Sequence, residues 1–207
     1  LIFLGNRPRS RYHYQGKPPV TAWLDYWSSI CSMDDKLKDI FSNINDWLKY
    51  AETKSATLIA GNGALIFGFS RLSLSDSINC YFSYYLIFCS LLSLISLSIC
   101  LLSIIPALNM PWDSKPTGTQ DNDNVLFFGH IAKYSPLSYL NKLANQIGEK
   151  NVVFTGYQKD LAFQIIINST IANRKYTYFN TAIWFTLSAV ISPVITIIIY
   201  ICRIKNQ

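Results

Sequence analysis

Residues 79–111 read NCYFSYYLIFCSLLSLISLSICLLSIIPALNMP, and no charged residue occurs between Asp76 and Asp113. A helix rises 1.5 Å per residue, so about 20 apolar residues cross a hydrocarbon core roughly 30 Å thick. Residues 80–105 alone exceed that length, and the stretch is expected to be a membrane-spanning helix. On that helix Cys89, Ser93, Ser96, Cys100 and Ser103 recur at alternating spacings of four and three, the a and d positions of a heptad seam. Lipid tails are as apolar as Leu, so helices in a membrane associate through close packing and polar contacts, which small residues permit. The other reading is that the serines only satisfy carbonyls of their own helix.

The chain has 207 residues, 50% hydrophobic and 14% charged, where a soluble domain carries about 25% charged. The apolar excess falls in three blocks, which makes this an all-α, multi-pass membrane protein with three spans, an N-terminal hairpin plus a C-terminal helix, and a small helical cytosolic region. Its five cysteines show no CxxC or Cys/His spacing, so neither a disulfide framework nor a zinc site is expected. The net charge of +6 owes much to Arg7, Arg9, Arg11 and Lys17. Residues 1–32 show no clear period and resemble neither a signal peptide nor an ordered domain, and are expected to be an upstream extension with the start at Met33. Without them the basic excess is small, and no nucleic-acid partner is expected.

From Asp35, Leu37, Ile40, Phe41, Ile44, Trp47, Leu48 and Ala51 recur every three or four residues, marking an amphipathic helix over 33–54, with Asp34 and Asp35 suited to the positive end of its dipole. No Pro separates it from the next apolar block, so one helix is expected to run on into the bilayer. There Ala56, Ala60, Ala64 and Gly68 form a small-residue stripe suited to self-association. Asn62 lies near mid-membrane, either as an interhelical hydrogen-bond partner or as a pore-lining group. A short loop returns the chain, making 55–106 a transmembrane hairpin.

Residues 107–180 form the expected cytosolic region. Pro111, Pro116, Gly118 and the run from Gln120 to Asn124 read as an exposed linker, with Trp112 at the membrane interface. Ser135 and Pro136 suit the N-cap and first position of a helix. Leu137, Leu140, Leu143, Ala144 and Ile147 share its face, and Gly148 closes it. A helical pattern from Gln158, with Leu161, Ile165, Asn168, Ala172 and Tyr176 on one face, leads into the third span over 181–203, which contains Pro193 and leaves a short tail, 204–207. From Met33 onward, Lys and Arg number four before the first span, one in the hairpin loop, seven in the long loop and two in the tail. The positive-inside rule places the N-terminus and the long loop in the cytoplasm.

Three patches carry a family resemblance. Trp47, then Ala51-Glu52-Thr53-Lys54 leading into Asn62-Gly63-Ala64; Leu126-Phe127-Phe128-Gly129-His130-Ile131-Ala132 with Tyr139; and Asp160, Gln164, Ala172 and Lys175-Tyr176 before a last span together resemble the transmembrane effectors of Pycsar anti-phage systems, from Leu37 to the end. The resemblance implies a bacterial inner-membrane protein encoded beside a pyrimidine nucleotide cyclase. It would sense cyclic CMP or cyclic UMP and impair the membrane, killing the infected cell before phage mature.

The residues show no Gly-rich phosphate loop. They also show no paired carboxylates, nucleophile with a base, or metal ligands at convincing spacing, so no catalysis, no metal and no resident cofactor is expected. His130 stands without Cys or carboxylate at ligand spacing. A phosphodiester needs cationic or N–H donors and a flat base favours an aromatic face. The membrane-proximal group offering both is Lys54 with Phe127, Phe128, His130 and Tyr134, supplemented by Arg174, Lys175 and Tyr176. In the competing reading these cations are positive-inside anchors and the aromatics are belt residues. Two other functions stay open: a pore-former answering another nucleotide signal, and a non-enzymatic membrane-anchored sensor.

Overall fold

The computed structural model describes residues 20–76, 78–105, 118–149 and 152–205. The expectations placed on residues 1–19, on Pro111, Pro116 and Trp112, and on the last two residues of the tail lie outside them. The described residues from Leu37 onward belong to one compact unit, which carries everything below. The described chain is all-helical, without strands: α1 (Val20–Ser73), α2 (Cys80–Ile104), α3 (Phe128–Ile131), α4 (Pro136–Ile147) and α5 (Gly156–Lys205).

Two boundaries differ from expectation. Helix α1 begins at Val20, so residues 20–32 are helical where no period was expected, and Asp34 and Asp35 do not stand at a helix start. Leu24, Trp27 and Cys31 are spaced three and four apart, a helical signal obscured by the Arg- and Pro-rich run before it. Helix α5 begins at Gly156, two residues ahead of Gln158. There the Thr155 N–H donates to Gln158 Oε1 (3.0 Å) and the Gln158 N–H donates to Thr155 Oγ1 (3.2 Å), a reciprocal cap that satisfies two otherwise orphaned donors. As expected, α1 continues unbroken through the apolar block to Ser73. Helix α5 contains Pro193 within its length.

Helices α2 and α5 are each long and apolar enough to cross a membrane. The pattern on α2 is inverted relative to a soluble core. Leu86 and the seam residues Cys89, Ser93, Ser96, Cys100 and Ser103 are buried, whereas Leu91, Leu94, Ile95, Leu101 and Leu102 are exposed. In water that arrangement would forfeit roughly 25 cal/mol for every Å² of apolar surface left outside. In lipid it costs nothing, and the small residues let backbones approach.

Three helices meet along this seam. Leu58 of α1, Cys100 of α2 and Ala182 of α5 form a buried cluster. One turn further along α1, Asn62 is fully buried. Its Nδ2 donates to Ser96 Oγ (3.1 Å) and to the Leu58 carbonyl (3.0 Å), and its Oδ1 accepts from Thr186 Oγ1 (3.1 Å). Ser96 Oγ in turn donates to the Ala182 carbonyl (2.7 Å) and lies 2.8 Å from Thr186 Oγ1. Of its two readings, Asn62 therefore takes the interhelical one, every polar atom of its amide being engaged.

The partners also fix helix directions. Asn45 pairs with Asn168, Glu52 with Lys175 and Asn62 with Thr186, at sequence separations of 123, 123 and 124, so α1 and α5 run parallel in constant register. Helix α2 runs antiparallel to α5, since Cys89 approaches Ser192 while Ser96 approaches Thr186. The seam is thus consumed within the chain. Ala56, Ala60 and Ala64 remain exposed, and a Cβ added at Gly68 would meet nothing within 4 Å.

Helix α4 has the expected ends: Ser135 forms a capping box with Ser138, Pro136 follows it, and Gly148 closes the helix in the left-handed region at φ 87°. Its inner face is Tyr139, Leu140, Leu143 and Ala144, whereas Leu137 is exposed and Ile147 only half-buried. Tyr139 displaces Leu137 because its hydroxyl, buried with the ring, donates to the Val125 carbonyl at 3.0 Å. That burial pushes the phenol's pKa well up.

Candidate functional site

The Phe127-Phe128-Gly129-His130 stretch had no clear period because it forms a single helical turn, α3. Gly129 permits it: a Cβ there would lie 2.7 Å from Phe127 Cε1, so the Phe127 ring folds back across the glycine. Phe128 is thereby turned inward. Its ring stacks on Tyr176 of α5 (5.0 Å between centroids, 18°), lies 5.9 Å from Trp47 of α1 and 4.6 Å from Phe127. Trp47 also meets Tyr176 edge-on at 6.1 Å, and Phe127 meets His130 edge-on at 5.2 Å. Pairs in these geometries add about 0.5–1.5 kcal/mol each beyond their burial.

Lys54 faces this cluster, its ammonium 4.4 Å from the Tyr50 ring centre and 5.6 Å from those of Tyr176 and Phe179, within reach of the ring quadrupoles. Of the eight expected site residues, the structure thus joins Lys54, Phe127, Phe128, His130 and Tyr176 in one group, directly below the apolar part of α1 and α5. The other three take different partners. Lys175 donates to Glu52 Oε1 at 2.6 Å. Arg174 Nη2 donates to the Ile105 carbonyl at the end of α2 at 3.3 Å. Tyr134 turns away to the loop before α3, its hydroxyl 3.1 Å from Asp123 Oδ2 and 3.2 Å from the Gln120 carbonyl oxygen. Trp47, Tyr50, Phe179 and Glu52 belong to the site although sequence reasoning did not select them; the four-residue step from Tyr50 to Lys54 was a visible signal.

His130 Nδ1 accepts from the Asn124 N–H at 2.9 Å, which places a neutral ring's proton on Nε2. The run from Gln120 to Asn124, expected to be an exposed linker, contains a buried Asp123 instead. Its carboxylate accepts from the Gln120 N–H (2.8 Å), from Lys133 Nζ (3.1 Å) and from the Tyr134 hydroxyl, while Lys142 Nζ donates to the Gln120 and Asp121 carbonyls. Polar residues that look solvated in sequence are satisfied by partners that arrive ten and twenty residues later.

These bonds, led by the Gln120 N–H, hold the Asp123 carboxyl at about 2, below its usual 3.8. A depressed carboxyl stabilises the fold fully above its unfolded value and loses that contribution as pH falls through the folded one. Amide-exchange protection around Lys133 and Tyr134 should therefore decline between about pH 4 and pH 2, and Asp123→Asn should start lower and flatten that dependence. Equal pH profiles in parent and variant would remove Asp123 from this role.

A cavity of about 560 Å³ lies at the opposite end of α2, lined by Ile78, Tyr81, Tyr85 and Ile197 among others. Its lining includes no charged side chain; the polar groups there are Asn79, Thr196 and the tyrosines. No group of three or more His, Cys, Asp or Glu able to hold a metal occurs among the described residues.

Helices that bury serines and expose leucines, with an aromatic and cationic cluster below their apolar segments, define a helical membrane protein. The chain belongs to the Pycsar effector family: the family model described as the Pycsar effector protein domain matches residues 36–202. Its role is that of an effector in Pycsar anti-phage defence. No curated protein and no solved structure matches the chain.

Proposed function

We propose that this effector resides in the bacterial inner membrane and is switched on by a cyclic pyrimidine mononucleotide, cyclic CMP or cyclic UMP, made by an adjacent cyclase. Activated, it impairs the membrane and brings about abortive infection. The observation that carries the reading is the cluster of Lys54, Trp47, Phe128 and Tyr176. It supplies the stacking faces and the cation that a base and an anionic phosphodiester require, and Trp47, Lys54 and Tyr176 stand on helices that continue directly into the apolar segments. A ligand that prefers one arrangement of those helices shifts their packing by its difference in affinity for the two.

The same reading has three spans, α2 and the apolar part of α5 together with the apolar part of α1, the first in chain order, which is hydrogen-bonded to α2 and α5 through Asn62. The N-terminus and the 107–180 region are cytosolic, and several copies associate through the exposed Ala56, Ala60, Ala64 face. Three helices enclose no wide aqueous path, whereas several copies could.

The test combines nucleotide affinity with membrane depolarisation for Lys54→Ala, His130→Ala and Lys175→Ala. Lys54→Ala should weaken binding roughly tenfold or more, the value of one desolvated cation contact. His130→Ala should act through fold stability. A parent protein that ignores both nucleotides would sink the reading, and parent-like behaviour of Lys54→Ala would move the site elsewhere. In the same cells, Lys142→Cys should resist a membrane-impermeant maleimide, and its labelling would reverse the topology.

A further inference from the structure

We propose that Glu52 is a built-in competitor for the messenger: its carboxylate holds Lys175 and keeps α1 closed on α5, and an anionic ligand opens the pair by taking Glu52's place. The inference rests on the nucleotide reading above for the identity of that ligand, but not for the latch itself.

The pair spans the two parallel helices at 2.6 Å, and its members differ in exposure: the Lys175 side chain is 12% exposed and that of Glu52 is 56% exposed. That asymmetry decides which partner leaves. A nearly buried ammonium without a counter-ion is costly, because desolvation is no longer offset. A carboxylate already half in water rehydrates readily. Exchanging Glu52 for a phosphodiester leaves Lys175 paired with one negative charge before and after, so no unpaired buried charge is created.

Position supports the exchange. The residue after Lys175 is Tyr176, whose ring stacks on Phe128 and faces Lys54, so the pair sits at the same level of α5 as the aromatic group, on a neighbouring face of the helix. The Tyr176 hydroxyl is buried and makes no hydrogen bond, an unmet donor at the same place. The α1–α5 polar contacts on either side of the pair are Asn45 with Asn168 and Asn62 with Thr186. Release of Glu52 therefore removes the only ionic tie among these three at the point where the helices enter their apolar segments.

The experiment uses the full chain in cells and in vesicles of bacterial phospholipid, comparing the parent, Glu52→Gln, the charge exchange Glu52→Lys with Lys175→Glu, and Asp46→Asn. The last removes a carboxylate from an exposed pair with Lys49 within α1 and controls for net charge. Membrane levels and melting temperatures identify variants that fail to fold. Glu52→Gln should raise depolarisation without nucleotide and tighten cyclic CMP or cyclic UMP binding, each by roughly tenfold, a usual size for coupling between two states. The charge exchange should bring the basal level back towards the parent's, and Asp46→Asn should match the parent. Basal depolarisation in Glu52→Gln equal to the parent's overturns the latch, whatever the nucleotide does. If neither protein binds either nucleotide yet Glu52→Gln leaks and the charge exchange reverses it, the latch stands and the proposed ligand falls.

Discussion

Ser96→Leu should destabilise the packed helices by roughly 3 kcal/mol, while Ser98→Leu two residues away should change stability by less than about 0.5 kcal/mol. Both replace a hydroxyl by the same apolar side chain on the same helix. Ser98 is exposed and bonds only to the Leu94 carbonyl of its own helix, so leucine there meets lipid. Ser96 is fully buried and touches Asn62, Ala182 and Thr186. Hydrogen bonds between membrane helices average only about 0.6 kcal/mol and reach about 1.7, so lost bonds alone do not give the expected size. Most of it comes from forcing three extra carbons between backbones in contact, which costs about 1–3 kcal/mol. Thermal unfolding in one detergent resolves the difference. Equal stability of the two variants would mean that Asn62, Ser96 and Thr186 do not meet.

Phe128→Ala should cost about 3–4 kcal/mol of the stability with which the segment before α4 docks, the usual range for removing a buried phenylalanine. Phe128 is nearly buried and holds Trp47, Phe127 and Tyr176 around one ring. Without it, α3 loses its attachment to α5 while α2 and its partners keep theirs. Proteolysis of the 118–149 segment should accelerate by at least about a hundredfold, and the melting of the apolar helices should stay close to the parent's. Phe128→Leu should fall between. Parent-like resistance in Phe128→Ala would show that α3 is held elsewhere, Tyr139 being the next candidate through its bond to Val125.

The features legible in the sequence were those written in one element at a time. The seam of Cys89, Ser93, Ser96, Cys100 and Ser103 is buried as its 3.5-residue spacing required, because in an apolar helix small residues are the ones that pack. Ser135, Pro136 and Gly148 mark the ends of α4 for local backbone reasons alone. What escaped depended on partners far along the chain. Asp123 looked solvated because Lys133 and Tyr134, which bury it, follow ten and eleven residues later. Lys175 looked like a free phosphate ligand because its carboxylate partner lies 123 residues earlier. Of the site, the aromatic half was readable from composition near the apolar blocks. The division of its cations into one facing the rings and two already engaged was not, since it depends on the register between α1 and α5.

That register has a mechanical meaning. With the polar pairs of α1 and α5 at offsets of 123, 123 and 124, within one residue of each other, the two helices form a rack with nearly matched teeth, the first and last about 25 Å apart along the axis by the helical rise. An axial slide of either helix unmeshes every tooth together, and none regains a partner part-way through a turn of about 5.4 Å. Sliding is therefore an all-or-nothing motion, whereas prising one end apart breaks the teeth in sequence and meets the resistance of one pair at a time.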